Sequence, residues 1–129
     1  MISRNLKAIC DNKYQGTAKK VLTVCSAGCL RSPSAAIVLH EEYGYNTRSC
    51  GIEVDYAIVP ISETLLYWAD EIVCMMAWMA DEVEQMLVGY GLMRPTFALG
   101  IEDDYSYMQP ELVELIKQRY KEVTDCEHE

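Results

Sequence analysis

Cys25 and Arg31 stand six positions apart at the ends of the stretch CSAGCLR, and most of what lies between them is small. Residue types at that spacing suit one kind of chemistry. Ser26, Ala27 and Gly28 let the backbone curl, so that the amides of Ser26, Ala27, Gly28, Cys29 and Leu30 point into one concavity, and a helix opening near Ser32 adds the positive end of its dipole. This makes an anion nest. Arg31 closes over it with a planar fork that matches two phosphate oxygens, which a lysine would not do as well. The same electropositive cradle favours the thiolate of a cysteine at its base, so Cys25 becomes a nucleophile facing a bound phosphate. A cysteine at a strand end is ordinarily a small buried hydrophobe. Here the cysteine, the arginine, Ser32 and Pro33 at a helix start all follow directly on a strand, and that conjunction outweighs the ordinary reading.

The elements that must hold this loop follow from pattern. Lys20 to Cys25 (KVLTVC) is short and β-branched, as a buried parallel strand is. Ser32 and Pro33 predict a helix start with proline at the first helical position, and Gly44 predicts its stop. Tyr45 to Cys50 reads as a second strand, Ser62 to Ala69 as a serine-capped helix, and Glu71 to Met75 as a third strand. Ala77 to Val88 places Met79, Val83, Met86 and Leu87 on one helical face, and Thr96 to Leu99 reads as a fourth strand. In the last helix, Pro110 to Val123, the apolar stripe is Leu112, Val113, Ile116, Tyr120 and Val123. Strands alternating with helices imply an α/β fold with a parallel sheet. Such sheets bind ligands beyond the carboxyl ends of their strands, so Cys25 and the segment after Leu99 should share one crevice.

Bulk properties set limits on function. With 129 residues, 50% of them hydrophobic, the chain suits one domain over residues 20–129, preceded by a polar leader over residues 1–19. A net charge of -9 argues against nucleic acid or an anionic membrane as partner. Runs such as IVCMMAWMA fall well short of the roughly 20 residues that cross a bilayer. Arg4, Lys7, Asp11 and Lys13 interrupt the only place for a secretory core, which makes the cytoplasm the expected home. Thiols there stay free unless catalytic, metal-bound or redox-active. The six cysteines include no C-x2-C pair and the two histidines, His40 and His128, lie far apart, so neither metal nor cofactor is expected. Cys74 and the methionines at 75, 76, 79 and 86 read as core, and His40 as surface.

The sequence from Cys25 to Ser32 resembles the cysteine-dependent protein tyrosine phosphatases, whose signature is C-x5-R followed by serine or threonine. It is most similar to their low-molecular-weight class, in which the loop follows the first strand, lacks a preceding histidine and continues R-S-P into a helix. Val24 precedes Cys25 here, and Arg31, Ser32 and Pro33 match. LLYWADEIV and DDYSYMQPELVELI also resemble a bacterial subgroup of predicted tyrosine phosphatases. The resemblance implies a three-layer α/β/α fold with a four-stranded parallel sheet over residues 20–123. It implies that Asp103, in IEDDY, is the general acid, with Asp104 as its rival, that Ser32 assists the thiolate, and that Tyr105 lines the cleft. Three departures stand out. Ala27 and Gly28 read like the C-S-A-G of larger tyrosine phosphatases. The second loop cysteine is Cys29, one position earlier than usual, so a regulatory disulfide with Cys25 stays open. The segment GIEVDYAIVPIS is short, implying a shallow cleft on that side.

The implied activity is hydrolysis of a phosphotyrosine-containing protein or a small aryl phosphate through a phosphocysteine intermediate. Three other functions fit a similar loop. A thiol-dependent arsenate reductase needs a close cysteine pair after the third strand, where only Cys74 stands. A phosphotyrosine-binding pseudo-enzyme need not keep the acid. A cysteine-phosphorylated sugar-transport carrier does not need Arg31.

Overall fold

The computed structural model describes residues 18–26, 31–102 and 104–125. Four strands form one parallel sheet: β1 (Lys20–Cys25), β2 (Asn46–Gly51), β3 (Glu71–Cys74) and β4 (Thr96–Ala98), in the order β2-β1-β3-β4. Between and after them run α1 (Arg31–Tyr43), α2 (Glu63–Trp68), α3 (Ala77–Tyr90) and α4 (Pro110–Asp125). The fold is the expected α/β architecture with a four-stranded parallel sheet. Val24 lies opposite Cys50 on β2 and Cys74 on β3, so β1 is flanked on both sides and every one of its residues is buried. That is why, after Lys20, it reads as a nearly continuous apolar run rich in β-branched residues instead of an alternating one. The chain steps from β1 out to β2 and later from β3 out to β4 in the opposite direction. Right-handed crossovers therefore place α1 and α3 on opposite faces.

Local signals account for most boundaries. Ser62 caps α2 through its Oγ, which accepts from the Leu65 amide at 3.2 Å. Gly44, at φ 72°, ends α1 and donates its amide to the His40 carbonyl at 2.8 Å, a left-handed turn that a Cβ would strain. One expectation is corrected: α1 begins at Arg31, so Pro33 is its third residue, not its first. Proline is tolerated there because the amides of the first turn have no acceptor within the helix. Strand β2 is also shifted one residue onward from its expected place, and α3 and α4 each run two residues further than expected. In α3 the chain stops only where Gly91 adopts φ 71°.

The core lies on both sides of the sheet, with Leu22, Leu39, Trp68, Ile72, Met75 and Met79 among its largest buried side chains. Leu112, Ile116 and Tyr120 are buried and Val113 and Val123 pack beside them, as the stripe on α4 predicts. At the amino-terminal end of β3 the buried carboxylate of Glu71 accepts from Tyr120 Oη at 2.7 Å and pairs with Lys19 Nζ at 2.6 Å. The Lys19 carbonyl also accepts from the Asn46 amide, so the chain is already bound to the sheet one residue before β1. Burial, and then the Glu71 carboxylate, hold the Tyr120 phenol well above its ordinary pKa, so it stays a donor. Among the described residues, no helix is long and apolar enough to cross a membrane. Tyr120→Phe should lower the unfolding free energy by about 1–3 kcal/mol, read from urea denaturation, because the buried Glu71 carboxyl group is left with one donor fewer.

Candidate active site

Cys25 is the last residue of β1 and Arg31 the first of α1, so the sequence-predicted nucleophile and arginine sit at the two ends of one strand-to-helix connection. Both are almost wholly buried, at 3% and 4% exposure. Two hydroxyls close the connection. Thr23 Oγ1 donates to the Ser32 carbonyl at 2.7 Å, and Ser32 Oγ lies 3.1 Å from Cys25 Sγ. Ser32 Oγ also reaches the Cys50 carbonyl at 3.4 Å. A hydroxyl has one proton, so it serves the sulfur or the carbonyl in turn. When Cys25 is a thiolate the proton faces sulfur; when it is a thiol, the S–H donates to Oγ and the hydroxyl turns to Cys50.

Arg31 is oriented from across the sheet. Its Nη1 donates to the Ile101 carbonyl at 2.7 Å, a contact spanning 70 residues. Gly100, at φ 68°, turns the chain out of β4, and the Ile101 amide then binds the Met75 carbonyl at 2.8 Å. The segment after β4 thus meets the end of the Cys25 connection, as the open-sheet rule predicts. On the other side, the Cys25 and Ser26 carbonyls accept from the amides of Ile52 and Glu53, each at 2.9 Å. The short segment after β2 doubles back from there, through a Gly51–Pro60 bridge, and exposes Val54, Tyr56, Ile58 and Val59.

Of the residues named from sequence, Cys25 and Ser32 meet at 3.1 Å, with Ser26 next to Cys25 and Arg31 next to Ser32 in the chain. Tyr105 is half-buried and packs against the core, whereas Asp104 is exposed. Ala27, Gly28, Cys29, Leu30 and Asp103 lie outside the described residues, as do residues 1–17 of the leader. The structure adds Thr23 and the carbonyls of Cys50 and Ile101 to the group. Thr23 left a trace in the sequence, being the one hydroxyl in a strand that is apolar after Lys20; the carbonyls left none.

No family model matches the sequence, and no curated protein matches it. Solved structures that share this fold include tyrosine phosphatases, one of them of the low-molecular-weight class that the sequence resembles. Tyrosine phosphatase Wzb from Escherichia coli K30, in complex with phosphate, superposes with a TM-score of 0.63 at 16% identity, covering 84% of this chain and 98% of its own. YwlE arginine phosphatase from Geobacillus stearothermophilus gives 0.56 at 19% identity, covering 84% and 94%. A low-molecular-weight protein tyrosine phosphatase from Bacillus subtilis gives 0.56 at 21%, covering 82% and 97%.

The other buried thiols are chemically quiet. Burial, then the neighbouring Cys25, push Cys50 from an ordinary 9.0 up to about 12. Burial, then Cys50 and Glu84, push Cys74 upward as well. Thiols raised in the folded state favour folding below their ordinary value, and the benefit is lost as pH climbs through the folded one. Urea midpoints should therefore fall progressively between about pH 9 and 12, and Cys50→Ala should make that decline shallower.

Proposed function

We propose that this chain is a cysteine-dependent phosphatase acting on aryl phosphate monoesters, phosphotyrosine in proteins above all. The observation that carries the reading is the closure of the Cys25–Ser32 connection: a thiol 3.1 Å from a hydroxyl, with an arginine at the far end already oriented by Ile101. The fold it shares with tyrosine and arginine phosphatases supports it.

In the first step Cys25 Sγ attacks phosphorus in line and the bond to the aryl oxygen breaks. Arg31 and the amides from Ser26 to Leu30 hold the equatorial oxygens and stabilise the transition-state charge. Asp103 gives its proton to the leaving phenolate, which departs as the phenol. In the second step Asp103 takes a proton from water, whose oxygen displaces sulfur from phosphorus and releases inorganic phosphate. Ser32 donates to the departing thiolate. Tyr105 stacks on the substrate ring. No metal or cofactor takes part, and the cytoplasm is the proposed compartment.

The test is p-nitrophenyl phosphate hydrolysis at mildly acidic pH with EDTA throughout. Cys25→Ser should abolish turnover, and Asp103→Asn should lower kcat by about 10²–10⁴-fold, with a much smaller effect of Asp104→Asn. An inactive wild type that still binds phosphate would leave a binding module, and arsenate reduction with thiols would indicate the reductase. Phosphoarginine belongs in the same assay, since it separates cleavage of a P–N bond from cleavage of a P–O bond.

The segments on either side of the connection also bear on the substrate's neighbours. Residues 52–60 contain Glu53 and Asp55, residues 101–109 contain Glu102, Asp103 and Asp104, and neither contains a lysine or arginine. Glu53, Asp55, Glu102 and Asp104 are exposed. Phosphotyrosine peptides flanked by arginine should show kcat/KM values on the order of tenfold above glutamate-flanked ones at low salt, with the gap narrowing as salt rises. A gap of the opposite sign would show that these carboxylates do not face the substrate.

A further inference from the structure

The segment after β4 is attached at two points to a single helical turn. Arg31 and Ser34, three residues apart and therefore on one face of α1, are both buried, Ser34 completely. Arg31 Nη1 holds the Ile101 carbonyl at 2.7 Å, and Ser34 Oγ accepts from the Met108 amide at 2.9 Å. Between those anchors lie residues 102–107, which include both acid candidates, Asp103 and Asp104. Met108 has φ 55°, the single non-glycine residue with positive φ among the described ones. For a side chain of that size the left-handed conformation is sterically strained, so something around it must hold it there. The Ser34 hydroxyl does so from one side. From the other, the Gln109 amide donates to the Ser106 carbonyl and the Ser106 amide to Gln109 Oε1, just before α4 opens at Pro110.

We propose that Ser34 is a positioning residue for the general acid. This inference rests on the phosphatase reading. By fixing the Met108 amide, Ser34 sets where the acid-bearing segment re-enters the fold, while Arg31 sets where it leaves. One turn of α1 thus anchors both ends of the acid-bearing segment, one of them through the same arginine that would grip the phosphate. The serine acts on proton delivery through the segment, without touching phosphate, sulfur or leaving group itself.

Leaving-group dependence separates this role from a merely structural one. A phenolate from phosphotyrosine, with a parent pKa of about 10, needs protonation as it departs, whereas dinitrophenolate does not. kcat/KM should be measured for free phosphotyrosine and for dinitrophenyl phosphate with wild type, Ser34→Ala, Ser34→Thr, Asp103→Asn and the Ser34→Ala, Asp103→Asn double variant. In Ser34→Ala the loss on phosphotyrosine should exceed the loss on dinitrophenyl phosphate by about tenfold or more. Ser34→Thr, which keeps the hydroxyl, should restore most of it. In the double variant, removing Ser34 should add little to the loss from Asp103→Asn, because a missing acid cannot be further misplaced. Equal losses on both substrates, or fully additive losses, would overturn the positioning role while leaving the phosphatase reading intact. A wild type that hydrolyses neither substrate would overturn both. Should Ser34→Ala fail to fold, Ser34→Cys carries the same comparison, since it keeps the volume but accepts a hydrogen bond poorly.

Discussion

The geometry around Cys25 depends on how the first turn of α1 is pinned to the end of β1. Ser32 makes that connection twice, through its carbonyl to Thr23 and through its hydroxyl to Cys25 Sγ. A strand and a helix joined by a short connection can adopt many relative angles; two short hydrogen bonds between buried groups select one. Without them the thiol and the guanidinium would still be neighbours in sequence, but the angle between the strand that carries one and the helix that carries the other would be less closely fixed. Because the pins are buried, water does not compete for them, and their directional preference is felt in full.

The sheet turns that local pin into a site. With β1 second in the order, its carboxyl end is flanked by β2 on one side and β3 on the other. The segment leaving β2 binds the Cys25 and Ser26 carbonyls, and the segment after β4 reaches the Met75 carbonyl and Arg31. The doubly wound order therefore brings two excursions of chain to opposite sides of one connection. At the other end of the sheet Glu71, Tyr120 and Lys19 bind α4 to the start of β3. That attachment matters for the site as well, because α4 is the element into which the 102–107 segment runs.

Sequence patterns read the elements well where the signal is local. The buried run KVLTVC, the serine cap of α2, the glycine stop of α1 and the apolar stripe of α4 each lie where their residues predict. The boundaries that moved did so because proline is tolerated throughout a first helical turn, and because a helix continues until a residue such as Gly91 offers a left-handed exit. The pattern from Cys25 to Arg31 was legible for the same reason: seven contiguous residues carry the thiol, the small residues, the guanidinium and the helix start.

The sequence by itself therefore determined the order of elements and the chemical types at the heart of the site, because these depend on neighbours a few residues apart. The tertiary structure alone decided what orients them: Ile101 on Arg31, Met108 on Ser34 and the Cys50 carbonyl near Ser32. Those contacts use main-chain carbonyls and amides. Every residue offers the same carbonyl, and every residue but proline the same amide, so the letters carry no mark of which one is used. Only the strand order β2-β1-β3-β4, set by burial on both sides of the sheet, brings them across 18 to 74 positions of chain to the turn where they act.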